Sequence, residues 1–250
     1  MRYTCARVFA VVAFAGLLSS PAMTAHLAAD HPADSSGREG ARPAEPGVLP
    51  LDAKYKGLTY GDWLALSWQA VFAIPVEAGG HPLITGGAVR LNNGMVSLWA
   101  PVVPAGSPRV TIPVTIAPGQ HLSVGMISVE CSVAEPPPFH GEDEAELRAC
   151  ANGLLDLASD LYVAIDGKPV QNPGAYRTES PLFRFGPLAE GNVLGLPPGT
   201  QSDAVAAGYG LLLSPLSAGV HRIIVRATVP DFGIAVDAKF IVNVEPPPGR

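Results

Sequence analysis

Charge is scarce in this sequence. Only 15% of its 250 residues are Asp, Glu, Lys or Arg, and acids outnumber bases by 22 to 16. The formal charge of −6 leaves no basic surface for a nucleic-acid backbone. Aromatic residues make up 7%, so no long stacking platform for sugars is advertised. Three cysteines are too few for a disulfide-dense scaffold or a four-thiolate zinc site. No apolar run reaches the roughly 20 residues that a spanning helix needs. His-Glu-x-x-His, Gly-x-Ser-x-Gly, the P-loop and the dinucleotide fingerprint are all missing. Those gaps weigh against zinc proteases, α/β-hydrolases and nucleotide enzymes. A Ser-His-Asp set assembled from distant residues has no local signal either.

Glycine and proline are plentiful instead, at 27 and 26. That many breakers exclude a helical bundle or coiled coil. No strict Gly-X-Y period points to collagen. A hydrophobic share of 48% is too high for wholesale disorder. The composition predicts a turn-rich, β-rich body.

Arg2 and Arg7 precede an uncharged apolar run at 8–18, followed by the small residues Ser19, Ser20, Ala22, Thr24 and Ala25. This order reads as a secretory signal, 1–25, with cleavage near Ala25. Its loss takes the formal charge from −6 to −8 and removes Cys5. Cys131 and Cys150 remain, an even pair bound for an oxidising compartment, and are expected to form one disulfide. Such a bridge is worth about 3 kcal/mol in the chain-entropy model. The rival reading, a thiolate metal site, wants a second pair nearby. Residues 26–51 lack periodicity and read as a disordered tether; His26 and His31 within it could form a copper-like tract. A single β-rich domain is expected over 52–245, with 246–250 as a frayed end.

Within that domain, Thr59 or Asp62 is placed to cap a helix that ends before Pro75. Trp63, Leu66, Ala70 and Ile74 fall on one side of it. Residues 81–87 read as a loop. Strands are expected at 95–101, at 109–116 with Pro113 marking an edge or bulge, and at 121–130 running into Cys131. An acidic segment, 142–153, reads as a helix inserted after that strand and pinned to it by the disulfide. Asp166-Gly167 is a hairpin turn. Further strands are expected at 182–185, 208–213, 221–228 and 235–244. The fold class is therefore all-β, a β-sandwich or jelly-roll-like body with a short N-terminal amphipathic helix and a disulfide-pinned helical insertion.

Several pieces occur together: Tyr60-Gly-Asp-Trp63 with Trp68, Val129-Glu-Cys-Ser132, Leu147-Arg-Ala-Cys150, Asp166-Gly167, Tyr176-Arg177, Ser180-Pro181, Phe183-Arg-Phe185, and the run from Leu211 to His221. The combination resembles a group of exported bacterial β-rich proteins over residues 58–228. The resemblance implies export and a coherent β-rich body. It carries no catalytic role.

Three clusters are candidates for chemistry. Glu130 and Glu135 would make a paired-carboxylate site if the intervening loop folds back, with Asp166 as another second carboxylate. His121 begins the same strand as Glu130 but lies ~30 Å away along it. His140, Glu142 and Asp143 are candidate metal ligands; the plainer reading is a solvated helix start. Arg177 and Glu179 share one side of a strand and could line a ligand groove with Tyr209 or Tyr176 at its edge. The plainer reading is a surface ion pair. Trp63 is a candidate for sugar stacking, though core packing explains the same spacing. His221 reads as structural. These residues fit an exported module that binds a glycan, a small polar ligand or an exported protein. The alternatives are an extracellular carbohydrate-active enzyme and a metal-binding periplasmic protein. No cofactor is strongly implied, and enzyme or non-enzyme stays open. The expected location is secreted or periplasmic, with no membrane span in the mature chain.

Overall fold

The computed structural model describes residues 47–77, 80–91 and 94–247. The signal, residues 26–46 of the tether with His26 and His31, and residues 248–250 lie outside the described residues. In chain order come α1 (Tyr60–Phe72), α2 (Pro82–Thr85), β1 (Gly87–Arg90), β2 (Met95–Trp99), β3 (Val103–Pro104), β4 (Val110–Ile116) and β5 (His121–Ser132). Then follow α3 (Glu144–Leu155), β6 (Ser159–Ile165), β7 (Lys168–Pro169), β8 (Arg177–Glu179), β9 (Phe183–Phe185), β10 (Ser202–Leu213), β11 (Gly219–Val229) and β12 (Ile234–Val244).

The strands form two six-stranded sheets. The first runs β1-β2-β5-β10-β8, with β9 also on β10; the second runs β3-β12-β11-β6-β7, with β4 also on β12. Two ladders, β2/β5 and β4/β12, are parallel. One apolar cluster draws on both sheets and on α3, including Val124, Val205, Val225, Phe240 and Leu147. A second fills the space between α1 and the other face of the first sheet, with Trp63, Phe72, Met95, Phe185 and Ala206. The first sheet is thus covered on both faces, which is why β2 is buried at every position. The second sheet alternates, as β12 does from Val236 to Val244, and turns its polar positions to solvent.

Local chemistry sets the helices. Thr59 and Asp62 form a reciprocal cap: Thr59 Oγ1 accepts from Asp62 N–H at 3.2 Å, and Thr59 N–H donates to Asp62 Oδ2 at 2.8 Å. Eight of the thirteen residues of α1 are buried, among them Trp63 and Phe72. Truncating Trp63 to Ala would cost about 3–5 kcal/mol. Asp143 caps α3 and Glu144 and Glu146 occupy its first turn, the acidic end that a helix dipole favours. The helix runs past Gly153 to Leu155, because Leu147, Ala151 and Leu155 bury one stripe in the shared core. Cys131 and Cys150 are disulfide-bonded, with Cα atoms 6.2 Å apart, and hold α3 to the end of β5.

Three expectations need correction. The folded body starts before residue 52: Val48 is buried, Leu49 N–H donates to Leu212 O at 2.8 Å, and Ser214 N–H donates to Gly47 O at 2.8 Å. The apolar Gly-Val-Leu segment is drawn in because the end of β10 offers it backbone partners. The loop after His81 contains the short helix α2, started by His81 Nδ1 accepting from Leu83 N–H at 3.2 Å. Its Nε2 then donates to Val71 O at 3.0 Å, and burial holds this histidine below its usual range. The strand expected at 208–213 begins at Ser202, because Ala204, Val205, Ala206 and Ala207 are flanked by β5 on one side and by β9 and β8 on the other.

Candidate functional site

A bulge in β5 decides where Glu130 goes. Tyr209 pairs with Ile127 and Gly210 with Gly125, so Met126 is the extra residue. Leu122, Val124 and Met126 face the shared core before it, and Ile127, Val129 and Cys131 after it. Glu130 is therefore turned to the α1 side of the sheet, opposite Ala206, with 4% of its surface exposed. The following loop folds back, and the Glu135 carboxyl is hydrogen-bonded to that of Glu130. Ser132 Oγ also donates to Glu135 Oε2 at 2.8 Å. Burial pushes Glu130 well above the usual carboxyl range, and the charge and hydrogen bond of Glu135 push it further. Burial raises Glu135 as well, against the lowering effect of its hydrogen bonds from Glu130 and Ser132. Two carboxyls in contact give up their protons as a pair rather than independently. Asp166 is not with them, being in the turn between β6 and β7 of the other sheet.

His140, Glu142 and Asp143 are not gathered as metal ligands. The His140 backbone forms a β-bridge with Ser132, Asp143 Oδ1 accepts from Glu146 N–H at 2.9 Å, and Glu142 N–H donates to Glu146 Oε2 at 2.8 Å. Among the described residues no three His, Cys, Asp or Glu side chains are grouped to hold a metal. The acidic start of α3 spends its polar groups on capping.

Arg177 and Glu179 do share a side, but that side faces α3. Arg177 donates to Asp156 Oδ1 at 2.5 Å and to Asn152 Oδ1 at 3.0 Å, and its guanidinium lies 5.7 Å from the Tyr209 ring. Glu179 accepts from Arg148 and Asn152 of α3. Arg177 and Glu179, with Arg148, Asn152 and Asp156, tie the inserted helix to β8, so they do not line an open ligand groove. They also lie on the opposite face of the first sheet from Glu130. Trp63 has no exposed surface and stacks on Tyr55 with ring centroids 5.7 Å apart, so it offers no platform to a sugar.

A Ser-His-Asp arrangement does occur. His221 Nδ1 is 2.7 Å from Asp166 Oδ2, and His221 Nε2 is 3.3 Å from Ser217 Oγ. The same Nε2 lies 2.9 Å from the Ser217 carbonyl oxygen, which can only accept. Nε2 therefore carries a proton directed at the carbonyl, and Nδ1 carries one directed at Asp166. Desolvation lowers this imidazole, but the bonds to Asp166 and Ser217 outweigh it and leave it raised. An imidazolium with both protons committed is a staple between two turns, not a general base for Ser217.

A further concavity involves residues that the sequence did not single out. It is a groove of about 550 Å³ on the solvent face of the second sheet, lined by Ser107, Asp160, Leu161, Arg226, Thr228 and Asp237 among others. Its volume is within the range of ligand sites. Arg226 lies over the Tyr162 ring, 4.1 Å from its centroid. Arg109 Nε donates to Asp237 Oδ1 at 2.6 Å. Thr228 Oγ1 donates to Asp160 Oδ2 at 2.7 Å. Asp160 has a positive φ of 52° where the β6/β11 register shifts between Arg226 and Thr228. The irregularity bends β6 and hollows the sheet beside it. Arg226, Thr228 and Asp237 are outward positions of alternating strands, a pattern visible in sequence. The hollow itself depends on strand pairing, which the sequence does not display.

No protein-family model matches this chain, and no curated protein matches it. Among solved structures, the solution structure of amebosin aligns with 56% of this chain and 100% of that chain, at 10% identity and a TM-score of 0.16. A score that low carries no argument about fold or function.

Proposed function

We propose that this chain is an exported β-sandwich module, akin to the exported bacterial β-rich group it resembles, that binds a hydroxyl-rich glycan without altering it. The groove beside Asp160 is the observation that supports this reading. Its walls offer what sugar hydroxyls use: carboxylate acceptors in Asp160 and Asp237, fixed guanidinium donors in Arg226, and the small hydroxyls of Ser107 and Thr228. Two acids and two arginines, Arg109 and Arg226, balance locally, which suits a neutral ligand better than a charged one. An intramolecular disulfide and the leader-like N-terminus are in keeping with export.

The test is a binding screen of the disulfide-intact chain against immobilised neutral and acidic oligosaccharides, with hits measured by calorimetry. Neutral oligosaccharides should bind, and Arg226→Ala and Asp237→Asn should each weaken them on the order of tenfold without changing the fold. Binding that both variants leave intact would remove the groove from the proposal. The carbohydrate-active enzyme reading rests on the paired Glu130 and Glu135. Turnover of a bound sugar that Glu130→Gln abolishes in a folded protein would put that reading first.

A further inference from the structure

We propose that Glu130 and Glu135 form a proton-operated latch on loop 133–141, which holds the loop on the first sheet while the proton is shared and releases it when both carboxyls ionise. This inference does not depend on the glycan groove.

The loop is a strap with fixed ends. At its start, Val133 N–H donates to Asp203 O at 3.1 Å and Ala134 N–H donates to Ser202 Oγ at 3.0 Å. At its end, Ser132 N–H donates to Phe139 O at 3.1 Å, and Gly141 is packed so tightly on α3 that an added Cβ would meet Leu147 N at 2.7 Å. The disulfide fixes the strand below it to α3. Between these anchors, Glu135 reaches back to the sheet, where its partners are Glu130 and Ser132.

Among the described residues no lysine or arginine is paired with Glu130 or Glu135. On the same face, β5 contributes Ser128 and Ser132, and β10 contributes Ala204 and Ala206. The charged residue of α1 is Asp62, held at the helix start by Thr59. From the loop itself come Glu135 and His140, whose Nδ1 is buried without a partner. From α3, Glu146 receives Glu142 N–H. Arg184 pairs with Asp203, which is turned toward the opposite face of the sheet from Ala204. Glu130 Oε1 has no hydrogen-bond partner among the described residues. Ionising both groups would place two like charges in a desolvated site, the arrangement most strongly disfavoured for paired carboxyls. Glu135 is half-buried and belongs to the loop, so relief comes from the loop moving outward. Such movement also uncovers the disulfide, since the Pro138 carbonyl oxygen is 3.2 Å from Cys150 Sγ.

Amide hydrogen exchange of the full chain, followed by mass spectrometry between about pH 5 and about pH 9 and corrected for intrinsic exchange, tests this. Amides in 133–141 should lose protection on the order of tenfold across that range, while β11 and β12 should not. Glu135→Gln and Glu130→Gln each keep a neutral hydrogen-bonding group in the pair. In either variant that folds, protection of the loop should be flat with pH. A wild-type loop whose protection does not change with pH overturns the latch. So does a folded Gln variant whose loop follows the wild-type profile.

Discussion

His221 Nδ1 donates to Asp166 Oδ2 across 2.7 Å, joining the first residue of a two-residue turn to a strand 55 positions later. Asp166 also accepts from Arg222 N–H at 2.8 Å. Burial raises Asp166, but these bonds reverse it and hold the carboxyl below its usual value of 3.8. The imidazole is raised above 6.5. A raised histidine stabilises fully below its unfolded value and loses that contribution as pH rises through the folded one. A lowered carboxylate contributes above its unfolded value and loses that contribution as pH falls through the folded one. The pair should therefore stabilise most between about pH 4 and 6.5. His221→Gln should cost about 0.5–1 kcal/mol in that window, a modest figure because Asp166 is half exposed to solvent. Urea melts of both proteins across pH check this, and a difference that does not vary with pH counts against the staple.

Tyr60 should set where the chain can be shortened. Its hydroxyl donates to Leu49 O at 2.6 Å and accepts from Leu212 N–H at 3.1 Å. Burial pushes this phenol up to about 12. Tyr60→Phe leaves two backbone groups without that partner and should cost about 1–3 kcal/mol. A chain beginning at residue 52 should melt lower than one beginning at residue 44, because it also loses buried Val48. Equal melting of the two chains would mean that the segment adds nothing to the fold.

Much of this was legible where local chemistry governs. The Thr59 and Asp62 cap, the Asp166-Gly167 turn and the alternation of β12 each depend on neighbours in sequence. The pairing of Glu130 with Glu135 could be stated from sequence only as a condition, because it needs the loop to return. What stayed hidden depends on register. Met126 is an ordinary apolar residue until pairing makes it a bulge and turns Glu130 toward α1. Arg177 and Glu179 share a strand side as read, but nothing in their spacing says that α3 occupies it. The same limit hid Asp160, whose importance comes from a shifted register against β11.

The seam under α3 should behave as structure. Arg177→Ala and Glu179→Gln remove half-exposed contacts and should each cost about 0.5–1 kcal/mol. Neither should alter oligosaccharide binding. Replacing both Cys131 and Cys150 by Ala should cost more, about 3 kcal/mol for a loop of this size. Calorimetric melting ranks the three variants. A loss of glycan binding on Arg177→Ala, with melting unchanged, would return that residue to the ligand site.

Asp160 separates stability from binding most cleanly. Its φ of 52° is a left-handed conformation that Asn tolerates and Ala resists. Asp160→Asn keeps the shape and an acceptor for the Thr228 hydroxyl, so stability should stay within about 0.5 kcal/mol of wild type. Asp160→Ala loses that bond and strains the backbone, and should cost about 1–2 kcal/mol. Asp160→Gly loses the bond but relaxes the backbone, and should fall between the two. All three remove the carboxylate from the groove, so all three should weaken oligosaccharide binding to a similar degree. If binding instead tracks the order of stability, Asp160 serves only to shape the sheet, and the groove must find its acceptors in Asp237 and the backbone.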